Sequence, residues 1–279
     1  MHAESDMRDI LKSLAENDYA PPDDVAPVAF ALEILPHLGS PNGELRERYV
    51  YGTLHRWIVR RTLDAVAIAD LSRMLTDPEH LFLGIGESGR DSVHMRAFSV
   101  LLLAPIVHAH RQEPFLSVSD LGSILAKTVE YLDREEDLRG YVSSEAWWAH
   151  GVAHAADVLG QLAGCEEVSA DGLTSMLDAI ARKALTESDV FVFEEDARMA
   201  AAAIEILKRS ELDRKRIVDW LSQLVPDARW TGDLPRVHHR FLNARNVLRC
   251  LYFQSRATDD LPRFVTDEIE SALASLPER

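Results

Sequence analysis

The sequence predicts an all-α fold of stacked helical hairpins. Three observations carry that prediction. Apolar residues recur at helical spacing along nearly all 279 residues. Alternating β-pattern is confined to Val190-Phe191-Val192-Phe193, too short for a sheet. Glycine and proline breaks recur so that helix pairs repeat at roughly 40–50 residues, the range of HEAT and armadillo hairpins. Each such hairpin buries one face only, so neighbours stack, and the expected form is a right-handed α-α superhelix with a concave inner surface, a single domain over 1–279. An irregular helical bundle is the competing architecture.

The elements follow in order. Met7, Ile10, Leu11 and Leu14 mark a first helix behind the possible caps Ser5 and Asp6, and Pro21-Pro22-Asp23-Asp24 breaks the chain. A second helix runs to about Leu38, with Pro27 tolerated in its first turn, Pro36 ending or kinking it, and Gly39 as C-cap. Asn42 is placed to cap a third helix through Leu45, Val50, Leu54, Trp57 and Ile58, and another runs from Thr62 to Thr76. Helices are expected near 91–110, 119–133, 144–163, 171–186, 194–209, 211–225, 235–256 and 260–275, separated at Pro114, Gly140, Gly164, Gly172, Pro226, Gly232 and Pro235.

Composition excludes several functions. Thirty basic and 46 acidic residues give 30 − 46 = −16, whereas phosphate binding needs clustered Lys and Arg, so nucleic acid is not expected as a partner. Ala97 to Val107, the longest apolar run, is about half a membrane span and contains Ser99 and Pro105, so no membrane partner is expected. Cys165 and Cys250 cannot frame a disulfide scaffold, and the N-terminal stretch lacks the basic and apolar regions of an export signal. A soluble, cytoplasmic protein is the expectation.

Motif searches return little. Gly84-Ile85-Gly86-Glu87-Ser88-Gly89 matches the dinucleotide fingerprint, but that motif needs a preceding strand, and Glu87 would repel a pyrophosphate. It reads as a flexible helix–helix connection. No nucleophile elbow, P-loop, C-x-x-C or H-E-x-x-H occurs, and the pairs His238-His239 and His108/His110 diverge on a helix.

The helix expected from Ser144 is different. At about 100° per residue, Trp148, Val152, Ala155, Leu159 and Leu162 form a core face, while Trp147, His150, His154, Asp157 and Gln161 gather opposite. A solvent face would carry Lys, Glu and Arg; from Ala146 to Cys165 there is none. The stripe is therefore expected to be covered or to line a groove. His150 and His154 at i and i+4, with Asp157 one turn on, can hold a divalent metal with open positions. Alternatively they form a metal-free acid–base site, or a structural hydrogen-bond network.

Other clusters join them. Arg139 is a fork-shaped donor for Asp157 or an acidic ligand, with Gly140 free to take a positive φ, while Glu135 and Glu136 read as a solvated helix end. Glu194, Glu195 and Asp196 suit a helix N-terminus, and Arg198 beside them leads into an apolar run that leaves it unexplained. Asn243, Asn246 and Arg249 can bind a ligand or tie helices together.

These residues also carry a resemblance. Glu136-Asp137-Leu138-Arg139-Gly140-Tyr141, Trp148-Ala149-His150, Ala153-His154-Ala155-Ala156-Asp157, Arg96-Ala97-Phe98-Ser99, Glu195-Asp196-Ala197-Arg198, and Asn243 followed by Leu248-Arg249-Cys250-Leu251-Tyr252-Phe253 resemble a bacterial family of uncharacterised proteins, domain of unknown function 2785. Trp147, Ala97 and Cys250 depart from the pattern, standing where it has glycine, serine and serine. The resemblance implies an all-helical fold and adds Arg96, Asp137 and Trp148 to the candidates; it supplies no reaction.

The expected site therefore has His150, His154 and Asp157 as catalytic or metal-holding residues. Arg96, Asp137, Arg139, Trp148, Glu195, Asp196, Arg198, Asn243 and Arg249 are its ligand-binding candidates. A histidine acts as general base, Asp157 orients it, and Arg139 or Arg198 holds an anionic group of a small molecule. The rival class is a helical-repeat module whose groove binds a peptide or protein, the same polar groups being structural.

Overall fold

The computed structural model describes residues 4–21, 25–226 and 233–277. In chain order they form α1 (Glu4–Glu16), α2 (Pro27–Ile34), a 3₁₀ turn (Leu35–Gly39), a π-helix (Glu44–Tyr51), α3 (Gly52–Val59), α4 (Ala65–Leu75), α5 (Ser92–Gln112), α6 (Val118–Arg134), β1 (Tyr141–Ser143), β2 (Trp147–Trp148), α7 (Gly151–Ala163), α8 (Ala170–Ala184), α9 (Glu195–Leu207), α10 (Arg214–Gln223), α11 (Leu234–Arg256) and α12 (Arg263–Ala274). The chain is mostly helical, and its one described sheet is the antiparallel pair β1–β2. The breaks expected at Pro22 to Asp24 and at Gly232, and the side-chain caps expected of Ser5 and Asp6, lie outside what is described.

Local chemistry accounts for the helix starts. The side chains of Asp64, Ser169 and Asp213 each accept a backbone N–H of the following turn, from Ala67, Gly172 and Arg216, and so satisfy donors that a helix start leaves unpaired. Pro27 occupies the first turn of α2, and the chain tightens into the 3₁₀ turn across Pro36, as a residue without an N–H requires.

The chain divides into two compact units: Met1–Ile124 with Glu135–His154 (unit 1), and Leu125–Arg134 with Ala155–Arg279 (unit 2). In unit 1, Leu45, Val50, Leu54, Trp57 and Ile58 are buried, and the Trp57 indole N–H donates to the Tyr19 carbonyl at 2.7 Å. α5, also in unit 1, is long and apolar enough to cross a membrane by length and composition, but 78% of that window is buried inside the protein, as in a core helix. In unit 2, Leu173, Met176, Leu177 and Ile180 of α8, Met199 and Ile206 of α9, and Val247, Leu248 and Leu251 of α11 are buried. The Trp220 indole donates to the Leu177 carbonyl at 2.7 Å.

Two expectations are corrected. The helix predicted over 144–163 begins at Gly151, and 141–148 instead form the hairpin β1–β2. The third helix is a π-helix up to Tyr51 and α-helical only from Gly52. As its shortness implies, the segment Val190 to Val192 forms no strand; Phe191 is buried there, and its N–H donates to Asn243.

Candidate functional site

The polar chemistry of unit 1 collects where the π-helix meets the β1–β2 hairpin. The Asn42 side chain accepts from Leu45 N at 2.9 Å and opens that helix, which carries Arg46 and Glu47 on successive positions. An eight-residue π-helix is rare, and such wide turns recur at functional sites. Arg46 is fully buried. It donates to the carbonyls of Ser40 (2.6 Å), Trp148 (2.9 Å) and Ala146 and to the Glu47 carboxylate (2.9 Å), and its guanidinium lies 4.7 Å from the Phe98 ring centre. Glu47 in turn accepts from Trp148 N at 3.0 Å, and Gly43 N donates to the Glu145 carbonyl at 2.9 Å.

These bonds explain why the sequence pattern fails here. A helix through 144–150 would need the same backbone groups for its own ladder; Arg46, Glu47 and Gly43 take them first. Trp147 and His150 then adopt φ of +56° and +61°, a left-handed conformation that costs energy for side chains of this size. His150 therefore stands immediately before α7, its carbonyl accepting from His154 N at 3.0 Å, in a left-handed conformation that the helical reading did not contain.

Aromatic rings form a continuous series through this region of unit 1. Tyr141 packs edge-on to Trp148 (5.2 Å between centres), Trp148 stacks on His150 (5.3 Å), His150 contacts His154 (5.7 Å), and His154 contacts Phe98 (5.6 Å). Its inner end is closed: His154 is buried, and its Nδ1 lies 3.1 Å from the Ala97 carbonyl oxygen, which fixes the ring. The outer end is open. Tyr141 and Trp148 are 43% and 37% exposed and His150 is half-buried, so Trp148 is not the core residue the helical reading made it.

Burial pushes the Glu47 carboxyl above the usual carboxylate range, against the lowering influence of Trp148 N–H, Arg46 and His150. His94 of α5 is fully buried with neither ring nitrogen bonded. Burial first, and Arg46 second, bring its pKa down to about 4.

The other unit 1 candidates hold backbone. Arg96 is fully buried and paired with Glu135 (2.6 Å), equally buried, contrary to the solvated reading of Glu135. It also donates to the Leu83, Gly84 and Glu87 carbonyls. Asp137 accepts from Gly89 N (2.9 Å) and is paired with Arg139 (2.7 Å), whose guanidinium also reaches the Arg90 carbonyl. Burial works to raise the Asp137 pKa, but the hydrogen bonds from Arg139 and Gly89 outweigh it and hold the pKa below its ordinary value. Together they clamp the 84–89 loop, where Gly84, Gly86 and Gly89 take the positive φ, not Gly140. That loop was expected to be flexible and is instead pinned.

In unit 2, Arg198 meets Asp157 at 2.7 Å with both partly exposed, which accounts for the cation ahead of the apolar run. Glu195 is buried and accepts from Phe193 N, while Asp196 accepts from Ala197 N. Asn243 is fully buried and ties the 186–191 segment through Phe191 N, Thr186 O and Asp189 O. Arg249 is exposed. Burial raises the Cys250 thiol to about 11.

Among the described residues no group of three or more His, Cys, Asp or Glu side chains could hold a metal ion, the His150, His154 and Asp157 set included. One local reason is visible: Asp157, the carboxylate of that set, is paired with Arg198. Sequence reasoning missed Arg46, Glu47, His94 and Tyr141. The signal at hand was the dense charge of Glu44, Arg46, Glu47 and Arg48 in a segment whose Leu45 and Val50 belong to the core pattern.

An all-α protein with a half-buried carboxylate beside a strained histidine defines a class but no reaction. The chain belongs to the family described as protein of unknown function (DUF2785), whose model matches residues 81–253. No curated protein and no solved structure matches the chain.

Proposed function

We propose that the chain is a small-molecule-binding protein with an acid–base site at Glu47 and His150, walled by Trp148 and Tyr141. What supports this is a half-buried Glu47 carboxyl, raised by burial, within electrostatic reach of a histidine held in a left-handed conformation. Perturbed carboxyls and strained backbone both concentrate where chemistry is done. Glu47 can keep a proton nearer neutral pH than an ordinary carboxyl, and His150 can exchange one with a bound molecule. Arg46 fixes both the π-helix and the hairpin. His154 acts as a positioning residue, its ring held at Ala97 and packed against His150. Every group in this site belongs to unit 1. The wider proposal is of a cytoplasmic bacterial protein whose helices stack as repeated hairpins, supported by the short connections and the acidic balance.

The test is titration of the Glu47 carboxyl by carbon-13 NMR. In His150→Gln the Glu47 midpoint moves further up, because an imidazole that lowers it is gone; His154→Gln leaves it in place. An unchanged midpoint in His150→Gln sinks the pair. In parallel, Glu47→Gln keeps an oxygen acceptor for Trp148 N and Arg46 but removes the countercharge of that buried guanidinium, so its thermal midpoint falls by no more than a few degrees. A fall of many degrees would make Glu47 a structural strut. A protein-interaction role has one observation in its favour: Val192, Phe193 and Phe253 of unit 2 are exposed.

A further inference from the structure

A shallow, open cleft of unit 1 with room for about 470 Å³ lies between the 3₁₀ turn and the start of α5. That is the size range of small-ligand sites. Pro36, Pro41, Leu83 and Met95 supply apolar walls, and His37 and Asp91 supply polar groups. Leu83 is 40% exposed there, an apolar side chain of this size left uncovered.

The walls are held from beneath by two fully buried guanidiniums. Arg96 donates to the Leu83 carbonyl (2.8 Å), the Gly84 carbonyl (3.1 Å) and the Ser92 hydroxyl (3.0 Å), and Arg46 to the Ser40 carbonyl (2.6 Å). Ser40 also lines the cleft, and its hydroxyl accepts from Asn42 N. The concavity is therefore preformed, which spares a ligand the cost of ordering it.

The charge balance selects the ligand. Asp91 is the sole formally charged side chain among the lining residues. It occupies the N-cap position of α5, yet its αR backbone leaves its side chain without a capping bond. Asp91 is exposed, and Arg139, a neighbouring cation, is committed to Asp137. The site does not suit an anion: the first-turn N–H groups of Val93 and His94 already donate to the carbonyls of Arg90 and Asp91.

We propose that this cleft binds a small organic ammonium ion, its apolar body against Pro36, Pro41, Leu83 and Met95 and its cationic nitrogen on the Asp91 carboxylate, with His37 as a further hydrogen-bond partner. Arg46 braces both places, but no residue that lines the cleft belongs to the Glu47–His150 site, so ligand binding at either can fail without the other.

Isothermal titration of the full-length protein with benzylamine, its neutral counterpart benzyl alcohol and the anion benzoate tests this. Benzylamine binds saturably at one site, benzyl alcohol at least tenfold more weakly, and benzoate not at all. Asp91→Asn weakens benzylamine at least tenfold and leaves benzyl alcohol unchanged. The exposed Asp91 side chain makes no capping bond, so this variant melts with the wild type; the Met95 methyl signal, followed by NMR, reports occupancy of the cleft independently. Absence of saturable benzylamine binding, benzoate binding as tight as benzylamine, full affinity in Asp91→Asn, or a Met95 methyl that does not shift would each overturn the assignment.

Discussion

Glu135 and Glu136 are chemically identical neighbours with opposite fates: one is sealed against Arg96, the other is exposed. Nothing in their local spacing separates them, because the deciding partner lies 39 residues away. The same holds for Asn243 and Asp137, whose work is to satisfy backbone groups of remote loops. Residue identity announced polar chemistry; which side chains face a ligand depended on contacts that a helical wheel does not contain. His94 is the sharpest case. Both ring nitrogens are buried without a partner, and its native pKa is about 4 against 6.5 unfolded. The unfolded chain therefore binds the proton more readily. The proton-linked cost of His94 is absent well above pH 6.5, and stability is lost as pH falls from 6.5 toward 4. Between pH 7 and pH 5 the loss is about 2 kcal/mol. Urea unfolding at the two pH values, in wild type and His94→Leu, isolates this contribution: the variant should show a smaller drop by about that amount. An equal drop in both proteins would mean that His94 is hydrated or already protonated in the native state.

At the scale of elements, the helices that were legible were those whose hydrogen bonds stay within themselves. α4, α8 and α10 announce their starts through Asp64, Ser169 and Asp213, and apolar spacing does the rest. The β1–β2 hairpin was illegible because its backbone is bonded by side chains about 100 residues earlier in the chain. With it went the geometry of the predicted site: His154, on the stripe opposite the expected core face, is covered, one of the two outcomes expected for that stripe, whereas His150 and Trp148 precede α7 and do not lie on it. Gly43 shows how the hairpin is seated. A Cβ at that position would stand 2.5 Å from Trp147 Cγ and 2.7 Å from its Cβ, too close to the stem of the ring for a rotamer change to relieve. The backbone of Gly43 is ordinary (φ −59°), so Gly43→Ala tests sterics alone. It should displace the hairpin, cost about 1–3 kcal/mol as overpacking does, and change the near-ultraviolet circular dichroism of the tryptophans. A variant that melts and absorbs like wild type would show that Trp147 does not pack on Gly43.

For the molecule as a whole, the dominant electrostatic fact is the excess of sixteen acidic residues over basic ones. Two effects of salt then oppose each other. Exposed pairs such as Arg134–Glu130 and Arg182–Asp133 lose attraction as salt rises, but each contributes at most about 0.5–1 kcal/mol, and often nothing measurable. Repulsion among the unmatched carboxylates acts over the whole surface, and folding concentrates it. Raising sodium chloride from about 0.02 M to about 0.2 M shortens the screening length from roughly 20 Å to roughly 7 Å, which is longer than a paired contact and shorter than the spacing of distant carboxylates. Screening should therefore relieve repulsion more than it weakens pairing, and the thermal midpoint at pH 7.5 should rise by a few degrees. The buried Arg96–Glu135 pair, with no solvent around it, is indifferent to the change. The control is pH: near the isoelectric point of about 5.1 the net charge vanishes, and the same salt step should leave the midpoint level or lower it as only the pairs respond. A rise of equal size at both pH values would point to specific ion binding and not to screening. A fall at pH 7.5 would mean that local pairing outweighs the net charge in setting the stability of this chain.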